Sequence, residues 1–210
     1  MNHQPEDTEK YKGFTIELWA DENPSNPRTD FDNLGKMVCF HRHYELGDKH
    51  ALSVENMQEL IRRDDVLYLP LYLLDHSGIT MRTGNFSDCD PGAWDSGQVG
   101  IIYIDFATIR KEYGKRITQA VKQKVYANLQ TEVDIYDAYL TGAVVGYVVK
   151  DERGEETDSC WSFHIRSSHW QEDKKYVLGE ARSAIDYTLR QRALEVAQVE
   201  AVFGLNPATP

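Results

Sequence analysis

His41, Asp75, His76 and Asp95 are the side chains that could carry catalysis in this chain. A histidine can give or take a proton near neutral pH, and a carboxylate beside it can orient the ring. Ser77 and Ser96 are nearby hydroxyls for a Ser–His–Asp relay, but position 94 is Trp and no nucleophile-elbow glycine pattern surrounds either serine. Cys39, His41 and His43 stand at i, i+2, i+4, which puts three side chains on one face of an extended strand. His-x-His on a strand can offer two imidazoles to one divalent metal, with Asp48, His50, Asp75 or His76 completing the shell. The expected metal set, should a metal bind, is His41, His43, Asp75 and His76; no other cofactor is expected. Each group also has a plain structural use. Asp75 and Ser77 are turn-capping types, and Asp88, Asp90 and Asp95 lack the downstream glutamate of a calcium loop. Trp94-Asp95-Ser96-Gly97-Gln98 differs in kind, because its ring either packs or presents a binding surface built from Trp94, Asp95 and Gln98.

These groups need elements to hold them. Phe14–Ala20 alternates and reads as a strand, as does 36–41. Ser53 is an N-cap for a short helix over 54–63 with one face packed inward. The apolar run 66–74 is a strand whose Pro70 points to an edge or a bulge. Short strands follow at 78–83 and 99–106, and the polar loop 84–97 between them is long enough to be functional. A helix begins at 107 and breaks at Gly114. The longest helical pattern runs from 117 to 140, with Val121, Val125, Leu129, Val133, Tyr136 and Leu140 in one stripe and Gly142 as its stop. A hairpin over 144–165 and a helix over 176–200 complete the chain. Strands and helices mix without βαβ alternation, so the expected class is α+β, a mostly antiparallel sheet with helices packed on one side. A single domain is expected over 13–200, between a mobile polar tail at 1–12 and a disordered tail at 201–210.

The net charge is −11. It is concentrated in residues 1–35 and 130–160, while 107–129 is basic, a solvated helix face without a glycine-rich phosphate loop. An acidic chain repels phosphate, which disfavours direct nucleic-acid binding. It suits a partner protein with a basic surface, met through Glu152, Glu155, Glu156 and Asp158. No apolar run is long enough to span a membrane. The N-terminal residues lack a signal-peptide pattern, and three scattered cysteines make no CxxC pair, so a reducing cytoplasm is the expected setting.

Seven stretches occur in order: DNLGKMVCFH (32–41), LGD (46–48), PLYLLDHSGI (70–79), WDSGQVGIIY (94–103), YLTG (139–142), GYV (146–148) and DSCW (158–161). Together, over residues 14–165, they resemble a widespread family of uncharacterised proteins encoded by tailed phages and bacterial mobile elements. This chain departs from the family in having Leu74 where an aromatic precedes Asp-His-Ser-Gly, and in its extension after about residue 190. The family has no established activity, so the resemblance implies no catalytic residue. It implies a phage or mobile-element setting, expression inside a bacterial cell and an accessory role. The expected function is a non-enzymatic protein that binds and inhibits a host defence or nucleic-acid-handling protein. The alternative is a metal-assisted hydrolase of a nucleotide or nucleic acid using the His/Asp cluster.

Overall fold

A computed structural model describes residues 4–203. The elements run β1 (Asp7–Tyr11), β2 (Phe14–Ala20), α1 (Pro27–Asp30), β3 (Lys36–Cys39), α2 (Val54–Ile61), β4 (Val66–Asp75), β5 (Ile79–Arg82) and β6 (Ser96–Asp105). They continue with α3 (Phe106–Tyr113), α4 (Gln119–Thr141), β7 (Val144–Lys150), β8 (Glu156–His164), a 3₁₀ turn (Ser167–His169) and α5 (Trp170–Phe203). The class is α+β, with antiparallel sheets and helices packed alongside them.

Within the span expected as one domain, 13–200, the chain divides into two compact units. Of the described residues, one comprises 4–22, 144–163 and 169–203; the other comprises 23–143 and 164–168. Each has its own four-stranded sheet, in the order β1-β2-β7-β8 in the first and β3-β6-β4-β5 in the second.

In the first unit, β2 pairs antiparallel with β1 and with β7. Ile16, Leu18, Val149, Val177, Ala181 and Ile185 are buried where α5 packs on β2 and β7. β1 corrects the reading of 1–12 as a mobile tail over Asp7–Tyr11, while residues 1–3 lie outside the described residues. Its sequence, DTEKY, carries no apolar stripe, yet it pairs with β2 in full register from Asp7↔Leu18 to Tyr11↔Phe14. Its acids are held by α5: Lys174 Nζ lies 2.7 Å from Asp7, and Arg182 makes two bonds to Glu9. Of the C-terminal stretch expected as a tail, residues 201–203 continue α5 and 204–210 lie outside the described residues.

In the second unit, α4 buries Val125, Leu129, Val133 and Tyr136 against the sheet, the helical stripe read from sequence. Each such side chain contributes about 1.5–3 kcal/mol of burial. Thr118 caps its start and Gly142, at φ 72°, closes its end in the left-handed conformation. Pro70 pairs in register with Ile101, and the register shift comes one residue later, between Leu71 and Tyr72, where Val99 of β6 is the extra residue. Ser53 caps α2 by accepting from the Asn56 N–H, and Met57, Leu60 and Ile61, on the face expected to pack inward, are half-buried beside β4, while Val54 of that stripe is exposed. Asp137, on α4, reaches the sheet edge and accepts the Met81 N–H of β5 at 2.7 Å. That bond satisfies a strand-edge donor that would otherwise invite pairing.

Candidate functional site: an open cleft beside a saturated core network

β3 ends at Cys39, so Cys39, His41 and His43 do not share a strand face. The chain turns immediately afterwards. His41 Nδ1 accepts the N–H groups of His43 and Tyr44, both at 3.3 Å, which commits that lone pair and leaves Nε2 as the protonated nitrogen. The same turn stacks the His41 ring on Tyr44 with centroids 5.0 Å apart. In this tautomer the ring's lone pair points back at its own backbone rather than outward toward a metal. Burial pushes the Cys39 thiol up to about 12, so it stays protonated at neutral pH and is neither nucleophile nor ready ligand. His50 donates Nε2–H to the Cys39 carbonyl at 3.0 Å. Among the described residues, no three His, Cys, Asp or Glu side chains come together so as to hold a metal ion. The set His41, His43, Asp75 and His76 therefore does not assemble.

Part of the expected convergence does form. His41, Asp75, Trp94, Asp95 and Gln98 line one cleft of about 440 Å³. His76 joins it through Asp95: its Nδ1 lies 2.9 Å from Asp95 Oδ2, and because a carboxylate only accepts, Nδ1 carries the proton. The two strands that bear these residues are tied by the Asp75 N–H to the Asp95 carbonyl at 2.8 Å. Ser77, at φ 57°, forms the β4–β5 turn as expected of Asp75–Gly78. The Tyr44 hydroxyl reaches Asp75 Oδ1 at 3.4 Å. The His76 and Asp95 side chains remain 70% and 49% exposed. An imidazole–carboxylate pair this open orients a ring but is not shielded from water.

Trp94 is 89% exposed, yet held. The Asp90 carboxylate accepts the N–H groups of Trp94 and Asp95 at 3.2 and 3.1 Å. The Ser96 hydroxyl, followed by these backbone donors, keeps the Asp90 carboxyl below the usual carboxylate range. Ala93 adopts φ 48°, and the indole edge lies over Gly92 where a Cβ would collide with it.

Sequence reasoning missed Arg28. Its side chain is 1% exposed, and all five of its N–H donors are used. Nε and Nη2 bond Asp48 at 2.8 Å each, Nη1 bonds Glu132 at 2.8 Å and Asn33 at 3.0 Å, and Nη2 also bonds the Gly35 carbonyl at 2.8 Å. Glu132 in turn accepts the N–H groups of Leu34 and Gly35, and Asp48 that of Met37. The expected ligand Asp48 is thus a structural acid. A partner 104 residues away leaves no local signal, and the one available hint was an arginine in a short loop between prolines and acids.

The acidic residues expected to bind a partner lie in the other unit, at the β7–β8 hairpin. Asp151 ties the turn by accepting from the Arg153 and Glu155 N–H groups. Glu152, Glu155 and Glu156 are exposed, and Asp158 accepts the Tyr147 hydroxyl at 3.0 Å. No family model, curated protein or solved structure matches the chain.

Proposed function

We propose that the chain is a non-enzymatic binding protein of a tailed phage or mobile element. It acts inside the bacterial cell by engaging the basic surface of a host defence or nucleic-acid-handling protein and inhibiting it. The observation that carries this reading is the β7–β8 hairpin, where Glu152, Glu155 and Glu156 face solvent without a Lys or Arg partner among the described residues. Carboxylates left unpaired on a rigid turn attract a cationic surface and speed its docking. No helix among the described residues is long and apolar enough to cross a membrane. The test is capture from bacterial lysate at low and high salt with the native chain and with Glu152→Lys/Glu155→Lys/Glu156→Lys. A protein retained only at low salt, and lost in the variant, supports the reading; retention indifferent to both contradicts it.

A second reading, metal-assisted hydrolysis of a nucleotide or nucleic acid, draws on the His76–Asp95 pair at the cleft as an oriented base; the substrate's phosphates would have to complete the hold on a divalent metal, since no three such ligands meet among the described residues. Turnover of a chromogenic phosphodiester with Mn or Zn, abolished in His76→Ala, would support it. No turnover above the variant would remove it.

A further inference from the structure

The geometry points to the Trp94 cleft as a receptor for a single arginine side chain, with the guanidinium stacked on the indole and bonded by Asp75 and Asp95. This deepens the proposal above and rests on it, because arginine is what a basic protein surface offers.

Three observations converge on this chemistry. First, Trp94 presents an exposed ring whose backbone is held by Asp90 and whose edge lies over Gly92, so the face is open to a ligand while its place in the chain is fixed. Tryptophan is the strongest aromatic acceptor of a cation. Second, Asp75 and Asp95 line the same cleft and each has an oxygen to spare. Asp75 uses Oδ1 for Tyr44 and Asp95 uses Oδ2 for His76, with no bond to the second oxygen of either carboxylate among the described residues. A planar guanidinium presents forked donors to carboxylates where an ammonium presents a point charge. Third, the one formal cation lining the cleft is Arg42, which is exposed and makes no ion pair among the described residues. Asp75 and Asp95 outweigh it, leaving a formal charge of −1 that favours a cation over an anion, and the cleft's volume of about 440 Å³ lies in the range of small-ligand sites.

The experiment titrates the full chain with a short Gly/Ser peptide carrying one arginine, following the amide resonances of residues 94–98. Saturable shifts are expected. The peptide with citrulline in place of arginine, equal in shape but neutral, should bind at least about tenfold more weakly. Trp94→Leu should weaken arginine binding about tenfold, and Asp75→Asn about threefold to tenfold. Arg42→Ala should tighten it about threefold by removing like charge, a gain that misfolding cannot produce. Equal binding of citrulline, equal binding of a lysine peptide, or an unchanged affinity in Trp94→Leu would overturn the assignment. The hairpin variant Glu152→Lys/Glu155→Lys/Glu156→Lys separates the two proposals. If it loses the captured protein while arginine never binds, the cleft assignment alone fails. If it keeps the captured protein while arginine binds as expected, the hairpin reading alone fails.

Discussion

Arg28 and Trp94 belong to the same compact unit and are opposites in how their chemistry is spent. The guanidinium of Arg28 is buried and every donor has a partner within the chain. Trp94 is exposed, its backbone is fixed, and the carboxylates sharing its cleft keep oxygens unused. A saturated polar network is a device for specifying structure, since removing any member strands a buried charge. A held but unsaturated group keeps bonding capacity that the fold itself does not use, which is what the proposed arginine receptor requires. The contrast teaches that burial and charge alone do not separate a structural group from one with bonding capacity to offer a ligand; the count of unused bonds does.

The largest expected effect lies on the Arg28 side. Arg28→Ala leaves Asp48 and Glu132 without their cation and should cost about 3–5 kcal/mol of stability, read by chemical denaturation. Arg28→Lys should lose less but still most of the forked bonds. If Arg28→Ala were nearly neutral, the network would not be a structural lock and the contrast would collapse.

Asp137 sharpens the comparison, because it is buried but meets one donor, the Met81 N–H. Burial is the main cause that raises its carboxyl to about 6 from an ordinary 3.8. An acid raised on folding holds its proton more tightly in the folded state. Stability from this group is therefore greatest below about pH 4 and falls as pH rises through 6. Asp137→Asn keeps the acceptor for Met81 and abolishes the charge. It should raise stability by on the order of 2 kcal/mol at pH 7–8, and by little at pH 4. A variant equally stabilised at both pH values would show that ionisation is not the cost.

On the Trp94 side the stability effects should be small. Trp94→Leu and Asp95→Asn are expected within about 0.5 kcal/mol of the native chain. A large loss in either would mean that the cleft is part of the structure, and its reading as a receptor would weaken.

Much of the frame was legible in the residues. Phe14–Ala20 has both alternation and β-favouring types, and it forms β2 with those bounds. The apolar spacing of α4, its glycine stop and the Ser53 cap all express local chemistry. What escaped depended on distant partners. β1 is polar, and it is a strand because β2 offers an edge and α5 offers cations for Asp7 and Glu9. The His-x-His pattern misled because β3 stops at Cys39 and the His41 ring turns back on its own backbone. Asp75 and Asp95 could be suspected of meeting, but their shared cleft depends on the β4–β6 register, which no single segment encodes. The division into two units was hidden for a related reason: the first unit is assembled from three separated stretches of chain.

The measurement that most directly tests the account is the salt dependence of affinity for the purified captured protein, taken with the native chain and with Glu152→Lys/Glu155→Lys/Glu156→Lys. The account predicts binding that weakens steeply as salt rises for the native chain, and a weaker, flatter dependence for the variant. Affinity that is the same in both proteins and flat in salt would contradict it.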